Sequence, residues 1–455
     1  MSPTATSARE RLDICLDAEA RWNPHVNAVV TSMAEAARRE ADAADRAARD
    51  GQWLGLLHGM PIAIKDNIDT AGVRTTAGST FFKDHTPNRD AETVRRLRRA
   101  GAVIVSKVTL HEFAFGIRSW NPVIGASRNP YDVSRVPGGS SGGSGIAVAT
   151  GMCEAALGSD TGGSVRLPAA ICGVTGLRPT LGRISSAGCF PVSASHDTVG
   201  PMACTVDQCA RLFAVLSGYD PDDPISEDRP LENFLPSLGD GIAGVRIGVP
   251  NNFYLEGSSA DVSSAYLAAI RVLEKLGATL VEVTVPGAEQ IHDHASCMVF
   301  SDACALHATR LPDVSKWGPM TIERMRNGLT YTGADYARAM RAKESWKRTL
   351  AKLFDTVDIL AAPTMPDEPP PVDDTRPLLQ ATSAVTKVTY AGAFGALPGL
   401  SVPCGRSRNG LPLGLMLESA WWREPLLLRA GHAYQQATDW HTMRPVLPAG
   451  DGVLA

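Results

Sequence analysis

Apolar residues in the second half of the chain recur at helical spacing between two short apolar runs. The helical set ends at Gly277 and consists of Val262, Tyr266, Ala269, Ile270, Leu273 and Leu276. A run at residues 245–249 precedes this set, and another at residues 280–285 follows it. Short apolar runs of this kind are typical of buried strands, so the pattern predicts a strand, a helix and a parallel strand in a βαβ crossover.

The same alternation occurs earlier and later in the chain. An apolar strand is predicted over residues 61–64, leading into the polar turn Lys65-Asp66-Asn67. Asp90 is expected to cap a helix that presents Val94 and Leu97 and ends at Gly101, with a strand over residues 102–105. Further strands are predicted at residues 357–361, 400–403 and 413–417.

The first fifty residues are expected to be helical. Ser32 and Glu35 fit a capping box, and an alanine-rich stretch runs to Arg49 before Gly51, a residue suited to end a helix. Residues 220–241 and 363–377 are rich in proline and acidic residues and are predicted to be loops.

Helices and apolar strands alternate nearly from end to end, which predicts an α/β fold with a mixed, mostly buried central β-sheet covered by helices on both faces. We expect one large domain over residues 1–455. Its parts are a helical N-terminal segment at about 5–50, a core at about 55–205 and a C-terminal α/β part at about 245–440.

Composition narrows the class of protein. The 455 residues include 44 Lys and Arg and 48 Asp and Glu, so the net charge of −4 argues against nucleic-acid binding through bulk charge. No apolar run approaches the roughly 18 residues of a membrane helix, and the N-terminus has no secretory pattern, so we expect a cytoplasmic protein. Nine cysteines without a C-x-x-C pair favour reduced, scattered thiols over disulfides or zinc.

Two glycine–serine blocks, at residues 137–145 and 158–168, are the most informative feature of the sequence. A phosphate loop is disfavoured because no Gly-Lys-Ser/Thr occurs, and a dinucleotide fingerprint because no strand precedes the glycines. Residues 138–142 match the G-x-S-x-G elbow of serine hydrolases, yet they lack the apolar strand before it and a histidine in an informative position. A flexible linker would not be followed by a second block that contains Asp, Thr and Arg.

A further chemistry needs no histidine. A serine hydroxyl is a weak nucleophile until a base takes its proton, and a lysine can do so when burial lowers its pKa from about 10.4 toward about 7–8. Lys65 directly follows the apolar strand and is the candidate for this base. A solvated surface lysine is the ordinary alternative.

Ten segments in order resemble the amidase signature family, and the similarity runs from about residue 5 to about residue 440. These segments are residues 59–67, 75–79, 101–107, 111–114, 128–132, 137–143, 158–168, 173–179, 397–403 and 410–414.

The resemblance implies the roles of the site residues. Ser164 corresponds to the nucleophile that forms an acyl-enzyme, Ser140 to the bridging serine, whose peptide bond is typically cis, and Lys65 to the base. The implied reaction is the hydrolysis of a carbon–nitrogen bond, with no cofactor and no metal. The backbone N–H groups expected to face the oxyanion are those of Thr161, Gly162, Gly163 and Ser164. The residues expected to support this centre are Asp160, Arg166, Ser141 and Gly139.

The resemblance leaves other activities open. One is that of the glutamine-hydrolysing component of a tRNA amidotransferase, and another is that of a carbamate or ester hydrolase that uses the same triad. A catalytically silent binding protein is a further alternative. The expected partner is a small-molecule amide or carbamate; neither nucleic acid nor membrane is expected, and a homodimer is left open.

Other side chains have weaker claims to a functional role. His292 and His294 could present two imidazoles on one side of a strand to a metal, although no third ligand is evident. Arg118 could meet an anionic group, although a solvated arginine is the ordinary expectation. We expect two or three aromatic residues to line the substrate cavity. The candidates are Phe113, Phe115, Trp120, Phe190, Tyr390, Phe394, Trp421 and Trp422.

Overall fold

Strands and helices alternate through the computed structural model of the chain, which describes residues 6–374, 376 and 378–447. The strands of these residues are β1 (Val29–Ser32), β2 (Pro61–Lys65), β3 (Val103–Val108), β4 (Trp120–Asn121), β5 (Gly125–Ala126), β6 (Ala155–Asp160), β7 (Thr175–Arg178), β8 (Thr198–Ala203), β9 (Arg246–Pro250), β10 (Thr279–Val283), β11 (Ile359–Pro363), β12 (Gly399–Arg406) and β13 (Pro412–Ser419). The α-helices are α1 (Ala8–Val26), α2 (Ala34–Arg49), α3 (Glu92–Arg99), α4 (Gly142–Ala149), α5 (Arg166–Ile171), α6 (Val206–Leu216), α7 (Ala260–Lys275), α8 (Ile291–Leu306), α9 (Pro319–Gly328), α10 (Gly333–Thr356), α11 (Leu378–Phe394) and α12 (Glu424–Gln436).

Eleven of these strands form one mixed sheet in the order β1-β3-β2-β6-β8-β7-β12-β13-β11-β9-β10. The group β3-β2-β6 is parallel, as is β11-β9-β10, and the strands between the two groups run antiparallel to their neighbours. Strands β4 and β5 form a separate hairpin. In the first parallel group Ile64 pairs with Leu157, so the carboxyl ends of β2 and β6 lie at the same edge of the sheet.

Both faces of the sheet are covered. Ile62 and Ile64 pack into one apolar cluster with α3, α6, α7 and α12, whereas Ala63 packs into another with α1, α2, α4 and α5. Neighbouring residues of a strand point to opposite faces, so β2 is buried on both sides. Helices α8, α10 and α11 pack on the sheet near β11. The predicted α/β fold with a buried mixed sheet is confirmed.

Most predicted elements are present. The strand and turn at Lys65, the strand before Lys107 and the βαβ unit of β9, α7 and β10 agree with the prediction, with boundaries shifted by up to two or three residues. The two segments predicted as loops contain a short 3-10 helix at Leu235–Ser237 and no further helix or strand among their described residues, apart from the end of β11 at Pro363.

Three local predictions were wrong. Ser32 ends strand β1, and helix α2 has Met33 at its N-cap without a side-chain cap, because pairing of β1 with β3 removes Ser32 from the helix. Asp90 does not cap α3; it accepts hydrogen bonds from the Ala71 N–H and from Arg98. His292 and His294 lie on helix α8 rather than on a strand, because that segment packs its apolar residues at helical spacing.

Within the part of the chain that the structure describes, none of the helices combines the length and the apolar character needed to cross a bilayer.

Candidate active site

The two glycine–serine blocks and Lys65 come together at the carboxyl ends of β2 and β6. The first block runs into helix α4, and the second joins β6 to helix α5. The N–H of Ser141 donates to the carbonyl of Ser164 over 3.2 Å, which fixes the two blocks against each other. Ser141 Oγ also donates to the carbonyl of Ser159 over 3.1 Å.

Lys65 is completely buried and its ammonium group contacts hydroxyl oxygens. Its Nζ donates to Ser140 Oγ over 2.7 Å and to Ser159 Oγ over 2.8 Å. Burial lowers the pKa of Lys65 to about 7, although the carboxylates of Asp197 and Asp160 oppose this shift. A lysine with this pKa is largely neutral above pH 7 and can then accept a proton.

Ser140 occupies a tightly packed position. It is fully buried, and the Gly139–Ser140 peptide bond is cis. A Cβ atom on Gly139 would lie 2.8 Å from the backbone carbon of Ile117 and 2.9 Å from the carbonyl oxygen of Gly116. Only glycine fits at position 139 without a shift of the neighbouring backbone.

Ser164 is half-buried and lines a narrow cleft. Thr161 and Gly162 line the same cleft. A Cβ on Gly162 would lie 2.2 Å from Tyr390 Cε2, so this glycine permits the ring to close the cleft wall. Of the aromatic candidates, Phe115 and Tyr390 line this cleft, Phe190 lines a neighbouring cavity, and Phe113 lies in an apolar cluster.

Asp160 organises the loop that carries Ser164. It accepts hydrogen bonds from the N–H groups of Gly163 over 2.7 Å and Val165 over 3.1 Å, and it pairs with Arg166 and Arg178 over 3.1 Å each. Burial alone would raise the pKa of Asp160, but the two guanidinium groups outweigh it and hold the pKa well below its usual value. Asp160 is therefore a permanent anion that fixes the backbone.

One of the four expected oxyanion donors is already engaged. The N–H of Gly163 points at Asp160, so it does not face the cleft, and the sequence-based assignment of Gly163 needs correction. The N–H groups of Thr161, Gly162 and Ser164 have no acceptor among the hydrogen bonds of the described residues. Asp197 orients this segment from behind by accepting from Thr161 Oγ1 over 2.6 Å.

Sequence reasoning missed two residues near the centre. Ser159 bonds Lys65 and also accepts from Asn67 Nδ2 over 3.3 Å. Its position at the end of β6, which pairs in parallel with β2, could have indicated that it lies close to Lys65. Arg324 lines the same cleft as Ser164 from helix α9, which no motif indicated.

The weaker candidates have other roles. Arg118 is mostly buried and pairs with Asp374 over 3.5 Å, so it is neither solvated nor in the cleft. His292 Nε2 shares a 3.1 Å hydrogen bond with Thr386 Oγ1. No group of three or more His, Cys, Asp or Glu side chains suited to a metal ion occurs among residues 6–374, 376 and 378–447.

Known proteins resemble the chain over nearly its whole length. Residues 10–428 match the family described as Amidase. A component of the glutamyl-tRNA(Gln) amidotransferase of Roseiflexus sp. (strain RS-1) is 39% identical over 467 residues, covering 96% of this chain and 95% of that protein. An amidase of Pseudomonas putida is 40% identical over 455 residues, covering 97% of this chain and 95% of that protein.

The fold is also similar to a solved structure of a vestigial protein complex, which reveals the evolutionary origins of an s-triazine catabolic enzyme. That chain is 34% identical with a TM-score of 0.91, and the match covers 98% of this chain and 97% of the other.

Proposed function

The chain belongs to the amidase signature family of enzymes acting on carbon–nitrogen bonds, and from that premise we propose that it hydrolyses a small-molecule amide through an acyl-enzyme on Ser164. The observation that carries this proposal is Lys65, a fully buried lysine with a pKa of about 7 whose Nζ lies 2.7 Å from Ser140 Oγ. Ser140 transfers the proton, and neutral Lys65 is the base.

Each step of the reaction balances with these groups. Lys65 accepts the proton of Ser140, Ser140 accepts that of Ser164, and Ser164 Oγ bonds to the carbonyl carbon. The carbon–nitrogen bond then breaks, and the proton returns through Ser140 to the leaving nitrogen. Water then attacks the acyl carbon as the same base takes its proton, the Ser164 ester bond breaks to release the acid, and the proton returns through Ser140 to Ser164 Oγ, which leaves Lys65 neutral again.

Negative charge on the carbonyl oxygen is stabilised by the N–H groups of Thr161, Gly162 and Ser164. These donors are held in place before the reaction, because Asp160 fixes the neighbouring backbone and Arg166 and Arg178 hold Asp160. Ser159 has a positioning role, since its hydroxyl keeps Lys65 Nζ beside Ser140.

The experiment that tests this function combines labelling with kinetics. A fluorophosphonate should modify Ser164 in the wild-type protein, and Ser164→Ala should abolish both labelling and amide turnover with an unchanged circular dichroism spectrum. The value of kcat/KM should rise with pH through about 7, because the base must lose its proton. A label on another residue, or maximal activity near pH 5, would contradict the proposal.

A second candidate function is hydrolysis of glutamine within a tRNA amidotransferase, which the 39% identity to a component of such an enzyme favours. The two functions differ in their need for partners. Turnover of simple amides by the isolated chain supports a stand-alone amidase, whereas turnover of glutamine only with added partner proteins supports the second function. Carbamates and esters present the same kind of carbonyl to Ser164 and belong in the same substrate panel.

A further inference from the structure

A loop next to the proposed oxyanion donors connects the active site to helices α8 and α10. This loop, residues 192–197, leads into strand β8, and its first residue, Val192, lines the cleft of the active site. At its other end the carboxylate of Asp197 accepts hydrogen bonds from Thr161 Oγ1 over 2.6 Å and from the N–H groups of Val192 and Ser193 over 2.7 and 3.0 Å. Asp197 therefore closes the loop on itself and fixes Thr161 to it.

The three proposed oxyanion donors are held by different parts of the molecule. The carbonyl of Gly162 accepts a hydrogen bond from Thr389 Oγ1 over 2.7 Å, and the carbonyl of Ser164 accepts one from the first glycine–serine block over 3.2 Å. Thr161 is held through its side chain by the 192–197 loop. A shift of this loop would therefore move the Thr161 N–H before it moved the other two donors.

Lys343 of helix α10 holds the middle of the 192–197 loop. This lysine is only 6% exposed, and its Nζ donates a hydrogen bond to the carbonyl of Ser195 over 2.7 Å. Its Nζ also lies 5.8 Å from the ring centre of Phe394, and it forms no ion pair with the described residues. A leucine would fill the same space without the cost of burying an amine, so what the lysine adds is its hydrogen bond to the loop.

Helix α8 holds the same loop at a second point. Ser193 Oγ donates to Asp302 Oδ2 over 2.5 Å, and Tyr336 of α10 donates to Asp302 Oδ1 over 2.8 Å. Ser193, His196 and Asp302 have the composition of a catalytic triad, but the serine hydroxyl contacts both His196 Nδ1 and Asp302, and His196 Nε2 is buried without a partner. The imidazole does not lie between serine and aspartate as a triad requires, so these contacts serve to fix the loop.

We propose that Lys343 is a positioning residue of the active site, which holds the 192–197 loop so that Asp197 keeps the Thr161 N–H directed at the carbonyl oxygen of the substrate. This inference rests on the proposed function and adds to it a residue that touches neither the substrate nor the reacting atoms. The contact acts on the rate of the chemical step rather than on binding, because an oxyanion donor matters most when negative charge develops on the oxygen.

Labelling by a fluorophosphonate measures this effect independently of the substrate. Ser164 Oγ displaces fluoride from phosphorus, and the phosphoryl oxygen takes the place of the oxyanion beside the Thr161 N–H. Lys343→Met should lower the maximal labelling rate about tenfold or more and leave the half-saturating concentration within about threefold, with an unchanged circular dichroism spectrum. Lys343→Arg, which keeps a donor, should recover part of the loss.

A lysine on the exposed side of α10 provides the matched control. Lys352→Met should leave both the maximal labelling rate and the half-saturating concentration unchanged. A maximal rate in Lys343→Met equal to that of the wild type would overturn the inference. A higher half-saturating concentration with an unchanged maximal rate would also overturn it, because the lysine would then act on binding.

A double-mutant cycle tests the route from Lys343 to Thr161. Thr161→Val removes the hydroxyl that bonds Asp197 and retains the backbone N–H. Thr161→Val alone should lower the maximal labelling rate, and Lys343→Met should then lower it by less than about threefold more, because both changes break the same chain of contacts. Losses that multiply in the double variant would show that Lys343 does not act through Thr161 and would overturn the inference.

Amide turnover keeps this inference separate from the catalytic proposal. Slower labelling of Lys343→Met, in a protein whose wild type hydrolyses no amide, would uphold the positioning role and refute the hydrolytic function. Amide turnover by the wild type, with labelling of Lys343→Met at the full rate, would refute the positioning role alone. A wild-type protein that neither reacts with the fluorophosphonate nor hydrolyses an amide would refute both.

Discussion

Two buried lysines on neighbouring strands show how surroundings decide the charge of a side chain. Lys65 contacts the hydroxyl groups of Ser140 and Ser159, whereas Lys107 lies 3.4 Å from the carboxylate of Asp66 and also donates to Thr75 Oγ1. Burial lowers the pKa of both, but at Lys107 the Asp66 carboxylate opposes the shift most strongly. Lys107 is thus suited to an ion pair and Lys65 to proton transfer.

Replacing each lysine by methionine should separate these roles. Lys65→Met should lower kcat by about 10³-fold or more and should not lower the free energy of unfolding, because it removes a base and no ion pair. Lys107→Met should destabilise the protein by about 3–5 kcal/mol, because Asp66 is left buried without its partner. Amide kinetics and urea denaturation measure the two effects. Activity of Lys65→Met within tenfold of wild type would refute its role as the base.

Single residues were predictable from the sequence where a long motif surrounded them. Lys65, Ser140 and Ser164 lie in three such motifs, and the structure brings the first two into contact. The position of Arg324 in the cleft was not predictable, because no motif surrounds this residue and only the packing of α9 against Phe115 and Phe300 places it there. The hydrogen bond from the Gly163 N–H to Asp160 was not predictable either, because it depends on the conformation of the loop.

At the scale of elements, apolar periodicity predicted β2, β3 and the β9-α7-β10 unit because each buries a regular face. Capping signals failed where another element competed for the same residues. Ser32 and Glu35 have the spacing of a capping box, yet strand β1 uses Ser32 to pair with Ser106 of β3. Local propensities of this size, about 1 kcal/mol, give way to strand pairing.

Position 139, in the turn before helix α4, has no room for a side chain. Gly139→Ala should lower both activity and the unfolding midpoint, because the added Cβ would lie 2.8 Å from the Ile117 backbone and would displace Ser140. Gly333→Ala, at the start of α10 with no atom within 4 Å of the added Cβ, is the control and should be neutral or slightly stabilising. Thermal unfolding and amide turnover of both variants check this. Normal activity in Gly139→Ala would show that the turn tolerates a shift.

For the whole molecule, buried bases make stability depend on pH. The folded-state pKa values of Lys65 and Lys343 are both about 7, lowered by burial from 10.5, so the unfolded chain binds more protons than the folded one above pH 7. The free energy of unfolding should therefore rise with pH from about 7 to about 8.5. Above about pH 9 the buried cysteines, whose pKa values are raised by burial, act in the opposite direction.

Denaturation at a series of pH values checks this expectation. Lys65→Met should reduce the slope of stability against pH between about 7 and 8.5, because one of the two lysines with a pKa of about 7 is gone. The surface variant Arg326→Leu should leave the slope unchanged. A slope in Lys65→Met equal to that of the wild type would show that Lys65 is already protonated in the folded protein throughout this range.

The distance along the chain between Lys65 and the end of β6 has a consequence for how activity arises during synthesis. Lys65 contacts Ser159 only when β6 is paired with β2, whose other side pairs with β3, the strand that lies between them in sequence. In a nascent or cleaved chain the lysine is exposed, carries its proton at neutral pH and cannot activate a serine. The Ser164 hydroxyl therefore becomes reactive only when β2 and β6 have paired in the central sheet. Turnover of an amide then reports that the polypeptide has reached its native topology.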